Sequence, residues 1–244
     1  MIQLTLSSDP SPRYGLSDLV VHAGIVEALS SIRSVLGSME RSPASMLLHG
    51  SAGTGKTHLL HVAASVVTAR RGDAYGPALL LDASTEPTAL GNLLTDPALD
   101  EESAKPVAAV AVDNVDTLPS EAAQDLWTIW NKLTRWNAPL LFTSRESPSG
   151  LFADNPHLRS RVAASVVLEL QPPEDEARLR ILDKMGKDRQ LRLSADVCHY
   201  IVTHKSRNLR ELERTLDELD QISLQRKKKI NVQLIRALEK EGRI

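Results

Sequence analysis

The sequence predicts an α/β fold: a parallel five-stranded sheet flanked by helices, followed by a small all-helical domain. Three observations lead there. Five short apolar runs, at 45–49, 78–82, 107–113, 139–144 and 166–170, alternate with longer helical patterns. Each run is almost continuously apolar, as a parallel strand covered on both faces must be. Beyond the Pro-bearing stretch "QPPEDE" (171–176) no strand pattern returns.

Taken in order, "SMLLH" (45–49) opens the sheet and runs into "GSAGTGKT" (50–57). A helix is expected over 55–70, then the strand "ALLLD" (78–82) and a weaker helix over 86–95. The strand "VAAVAVD" (107–113), a helix over 120–136 and the strands "PLLFTS" (139–144) and "VVLEL" (166–170) complete the layer. Helix-length connections between the strands imply parallel pairing with cover on both faces. After 171, the prolines and the acidic residues behind them mark a helix start. Helices are expected at about 174–187, 194–204, 208–226 and 231–241. Leu209, Leu212, Leu216, Leu219 and Ile222 recur at steps of three and four, one apolar stripe, with Asn208 placed to cap its helix. The expected division is an arm over 1–12, an α/β base over 13–170 and a helical domain over 171–244.

Composition narrows the function classes. Apolar content of 42% and charged content of 25% are those of an ordinary globular chain. No apolar run approaches the ~20 residues of a membrane span, and "MIQLTLSSDPSPR" lacks the layout of a signal peptide. The one cysteine, Cys198, forms no internal disulfide and reads as a small buried residue. These features point to the cytoplasm and away from a membrane. A net charge of −2 gives no electrostatic footprint for duplex nucleic acid, and 3% aromatics offer no stacking platform for single strands.

The residues Gly50, Ser51, Ala52, Gly53, Thr54, Gly55, Lys56 and Thr57 fit G-x-x-x-x-G-K-[ST] between a strand and a helix. Glycines let the chain turn so that several N–H groups and a helix N-terminus converge on phosphate. Lys56 would neutralise the outer phosphates and Thr57 would ligate Mg²⁺. ATP or ADP with Mg²⁺ is therefore the expected ligand. His58 and His61 follow on the same helix without a third metal ligand and read as packing residues. Asp113, at the end of the third strand, is placed to hold the Mg²⁺ shell. Asn114 stands where many ATPases carry a second acid. An amide orients water but cannot accept its proton, so binding without efficient turnover is expected. Thr143, Ser144 and Arg145 end the fourth strand, where a polar group can report the γ-phosphate. Arg159 and Arg161 precede the fifth, where an arginine finger for a neighbour would stand. Arg210 opens the helix at 208–226.

The ordered set "SMLLHGSAGTGKTHLLHVAA", "VAVDNVDTLP", "LLFTSRESP", "LRSRV" with "LELQPPEDEARLRIL", and "SRNLRELERTLDELDQIS" resembles the AAA+ module of the bacterial replication initiator DnaA. Within that DnaA-like family it is most similar to the short Hda type, which inactivates the initiator. The resemblance spans nearly the whole chain. It implies a P-loop base with a helical lid, Asp113 as the Walker B acid, Ser144 near sensor 1, Arg161 as a finger in trans and Arg210 at sensor 2. The stretch "RYGLSDLVV" (13–21) is similar to the family's lead-in segment, so the backbone near Val20 and Val21 would line adenine, with His58 beside the phosphate loop. "QLTL" at Gln3, Leu4 and Leu6 resembles the peptide that docks such proteins on the β sliding clamp, two leucines filling an apolar groove. The implied partners are DnaA and the clamp, with DNA met only through the clamp, and self-association left open. No stretch after the lid is expected to form the initiator's DNA-binding domain. Three features depart from the initiator: Asn114 replaces a second acid, Arg145 stands where an acid is common, and the phenylalanines usual near the lead-in segment and after the finger are missing. A self-contained AAA+ motor or helicase loader is the alternative that a second acid would have favoured.

Overall fold

The computed structural model describes residues 14–36, 45–85, 88–99, 105–205, 208–226 and 229–243, with only the backbone of 98, 210 and 226. Five strands form one parallel sheet: β1 (Met46–His49), β2 (Leu79–Asp82), β3 (Val110–Asp113), β4 (Leu140–Ser144) and β5 (Val166–Glu169). Their order is β2-β3-β4-β1-β5, and every pairing is parallel. Helices α1 (Ala23–Val35), α2 (Lys56–Arg71), α3 (Ala89–Leu94), α4 (Ala122–Arg135) and α5 (Pro156–Ala163) connect or flank them.

The two-residue period of a strand sorts the side chains into two cores. Leu47, Leu81, Val110, Val112 and Phe142 face α3, α4 and α5. Met46, Leu48, Ala109, Ala111 and Leu141 face α1 and α2. This is the doubly covered arrangement that near-continuous apolar strands require. β5 departs from that expectation. As an edge strand it alternates half-buried and exposed residues, Val167 among the exposed.

Two helices lie outside the expected set. α1 buries Ile25, Ala28, Leu29 and Ile32, a helical period present in the sequence. α5 is only eight residues long, but its start is well marked. Asn155 accepts the Leu158 N–H at 3.1 Å and Pro156 occupies the first turn. The third strand is also shorter than expected. Val107 makes an isolated bridge to Gly76, and the ladder starts at Val110.

The helical part comprises α6 (Asp175–Asp188), α7 (Ala195–His204), α8 (Leu209–Arg226) and α9 (Val232–Lys240). Their core contains Leu182, Val197, Ile201, Leu212, Leu216, Leu219, Ile235 and Leu238. Ser194 caps α7 and Asn231 caps α9, each accepting an N–H three residues on. Arg189, following α6, forks onto Glu213 and Asp217 of α8. By contacts the chain divides into two units. One holds the sheet and its helices; the other holds 172–244 together with Val20–Gly24 and Ala52–Thr54.

Candidate functional site

The strand order sets the carboxyl ends of β1, β4, β3 and β2 side by side, the edge where open α/β sheets bind ligands. β1 delivers the loop 50–55 and α2 begins at Lys56. Gly50, Gly53 and Gly55 all have positive φ. At Gly53 (φ 77°) a Cβ would lie 2.7 Å from the Leu209 N and 2.9 Å from the Asn208 Oδ1, so crowding and conformation both require glycine. At Gly55 (φ 92°) a Cβ would meet nothing within 4 Å, so conformation alone demands glycine and the loop stays open there. Lys56 is buried, and its Nζ donates to the Gly50 and Ser51 carbonyls, both at 2.8 Å. The ammonium is thereby held across the mouth of the loop. An open, N–H-rich turn with a held cation fits a polyphosphate.

Behind the loop lies a chain of polar groups. Thr57 Oγ1 donates to Asp113 Oδ2 at 2.6 Å. Thr143 Oγ1 donates to Asp113 Oδ1, and accepts the Asn114 N–H at 2.9 Å. Asn114 Nδ2 donates to Asp82 Oδ1 at 2.9 Å. Residues of α2, β2, β3 and β4 thus contribute to one network, much of it buried. The hydroxyl of Thr57 and carboxylate of Asp113 are hard oxygen donors, a set that suits Mg²⁺ completed by phosphate and water. Among the described residues no cluster of three His, Cys, Asp or Glu could hold a metal by itself.

Thr143 is the β4 side chain that reaches Asp113. Ser144 instead turns its Oγ to accept the Glu146 N–H at 2.8 Å, a strand-end cap. Arg145 pairs with Asp116, Nε to Oδ2 at 3.0 Å, which occupies that carboxylate. His58 Nε2 contacts the Gly15 carbonyl at 3.0 Å, the imidazole donating. His61 stacks on Tyr14 with centroids 4.5 Å apart. Burial holds the His61 pKa below its usual value, against the pull of Asp113. Val21 is exposed and Val20 half-buried on the irregular stretch before α1. Of Arg210 the backbone places it in the first turn of α8. Gln3, Leu4 and Leu6 lie outside the described residues.

Arg161 is held by its own chain. Its Nη2 donates to Asn131 Oδ1 at 2.8 Å, and the guanidinium lies 4.9 Å from the Trp127 ring centroid. Arg159, on the same helix, is exposed.

Residues 11–169 match the family described as the bacterial DnaA ATPase domain. The chain belongs to that family. Residues 175–238 match a second description, the lid domain of Hda. The DnaA-like AAA+ fold extends to solved structures. Domain III of the Thermotoga maritima replication initiation protein DnaA has TM-score 0.78 and 22% identity, over 96% of this chain and 98% of that one. AMPPCP-bound DnaA from Aquifex aeolicus has TM-score 0.65 and 23% identity, over 85% and 64%. The Thermotoga maritima RuvB Holliday junction branch migration motor has TM-score 0.65 and 17% identity, over 93% and 71%. One site residue, Asp82, escaped the sequence reading of this DnaA-family chain. Thr143 was one of three polar candidates at a strand end. Asp82 joins the network only because β2 pairs in register with β3, Asp82 opposite Asp113.

Proposed function

We propose that this protein is a nucleotide-bound regulator of bacterial replication initiation, of the Hda type. It holds ADP or ATP with Mg²⁺, docks on the β sliding clamp through Gln3, Leu4 and Leu6, and promotes hydrolysis of ATP bound to the initiator DnaA. The observation that supports the reading is that Lys56 is held on the Gly50 and Ser51 carbonyls and Thr57 on Asp113, with Asn114 beside Asp113 where a second acid would stand. Gly50–Thr57 bind the phosphates, the backbone near Val20 and Val21 with His58 flanks the nucleotide, and Ser144, Thr143 and Arg210 complete its surroundings. The phosphates of the bound nucleotide supply the charge that neutralises Lys56. The chain's own residues orient water but take no proton from it.

Catalysis is instead lent to a partner. On docking, Arg161 would exchange Asn131 and the Trp127 face for the γ-phosphate oxygens of the neighbour's ATP. There a guanidinium stabilises charge that develops in the transition state, an effect on the order of 10³–10⁵ in rate. Clamp docking raises the effective concentration of that contact.

The test follows hydrolysis of labelled ATP bound to the initiator, with and without DNA-loaded clamp. Arg161→Ala is expected to bind nucleotide and clamp normally and to lose the stimulation. Arg159→Ala, two residues away and exposed, is expected to keep it. Full stimulation by Arg161→Ala would remove the finger assignment. Turnover by the chain alone, indifferent to DnaA and clamp, would favour a self-contained motor.

A further inference from the structure

Asn114 is more than a missing acid. It is buried, has left-handed backbone angles (φ 57°, ψ 46°) and uses both its main chain and its side chain in the network. Asn and Asp are the non-glycine residues that adopt that conformation most readily, whereas a longer or branched side chain is strained there. The side-chain partner is Asp82 on the neighbouring strand. Its Oδ1 accepts Asn114 Nδ2 at 2.9 Å, the Ser84 N–H at 2.9 Å and the Ser84 hydroxyl at 2.7 Å. A carboxylate only accepts, so it fixes which end of the amide faces it. The NH₂ of Asn114 points to Asp82, and the carbonyl oxygen, on the opposite side of Cγ, faces away.

We propose that Asp82 is a positioning residue that makes the second Walker B place a water acceptor and denies it a base. Two consequences follow from the geometry. The fixed amide presents an oxygen that can accept a hydrogen from water but cannot keep the proton. An acid placed at 114 alone would face the Asp82 carboxylate acceptor to acceptor, so the hydrogen bond that Asn114 donates would be lost. The quiet state therefore belongs to the Asp82–Asn114 pair. Reversing the pair, Asp82→Asn with Asn114→Asp, restores one hydrogen bond with donor and acceptor exchanged. It also sets a carboxylate beside Asp113. That carboxylate would take one proton from the attacking water as the water oxygen bonds to the γ-phosphorus. The bond to the bridging oxygen breaks, and its electron pair leaves with ADP.

The hydrolytic half of this inference rests on the reading of loop 50–57 as a nucleotide site; the pairing half does not. The experiment accordingly has two arms on the full chain. Thermal unfolding without nucleotide compares native protein, Asp82→Asn, Asn114→Asp and the reversed pair. Asn114→Asp is expected to lower the midpoint by roughly 3–6 °C, with most of the loss regained in the reversed pair. Additive single effects would overturn the pairing. Single-turnover hydrolysis by the chain alone, at saturating ATP, is expected to rise by at least about 10²-fold in the reversed pair. Regained stability and nucleotide affinity without that rise would reduce Asp82 to a structural role and overturn the proposal. A native chain that binds no nucleotide would end the proposed function while leaving the unfolding arm to decide the pair.

Discussion

Asp113 spends both carboxylate oxygens inside the chain, one on Thr57 and one on Thr143. Such a group is oriented before any ligand arrives. Lys56, folded onto the Gly50 and Ser51 carbonyls, is held in the same way. At this scale the loop was legible, because G-x-x-x-x-G-K-[ST] encodes its geometry in consecutive residues. Asp82 was not, because its role depends on strand register across a sheet. Arg161 was legible as a position and not as a contact, since nothing in its spacing reveals Asn131 and Trp127, a helix away in sequence. His61 yields a pH prediction. Burial against Tyr14 lowers its folded pKa below the unfolded value near 6.5, and His22 is lowered by burial in the same way. A proton then prefers the unfolded chain. Stability is complete above about pH 6.5 and falls as pH drops below it, towards the folded pKa. Unfolding midpoints measured from pH 7.5 to 5.5 are expected to decline, and His61→Phe, which keeps the ring stack, to flatten part of the decline. An unchanged slope in His61→Phe would assign the effect elsewhere.

Elements show where periodicity suffices. β1 through β4 and α6 through α9 follow from apolar patterning, prolines and caps. In α8 the stripe Leu212, Leu216 and Leu219 is fully buried, as its spacing predicts. Leu216→Ala should cost about 2–5 kcal/mol, read as a lower denaturant midpoint, because the void it leaves lies among α6–α9 side chains that fill one core. A cost below about 1 kcal/mol would mean that the helical part lacks a fixed core. α1 carries an equally plain period and belongs to the legible part even though it was not expected. α5 is different: two turns are too short for periodicity, and only its Asn155–Pro156 start announces it. β5 looked like an interior strand from composition. Its place at the sheet edge is set by topology, which the short apolar run Val166–Leu168 does not encode.

For the whole molecule, the two family matches follow the change of pattern near residue 171: sheet and flanking helices on one side, helices alone on the other. The division by contacts adds what the sequence hides. Ala52–Thr54, in the loop after β1, and the stretch Val20–Gly24 group with the helical residues, and Gly53 packs on Asn208 and Leu209 at the start of α8. Among the described residues no helix is long and apolar enough to cross a membrane. The central claim is that this chain keeps its own nucleotide intact. Native protein loaded with one equivalent of labelled ATP and Mg²⁺, and followed alone through a single turnover, tests it most directly. The account predicts tight retention with conversion to ADP slow enough to be negligible over the minutes in which an AAA+ motor would complete many cycles. Prompt conversion to ADP by the isolated chain, unaffected by adding initiator or clamp, would contradict it.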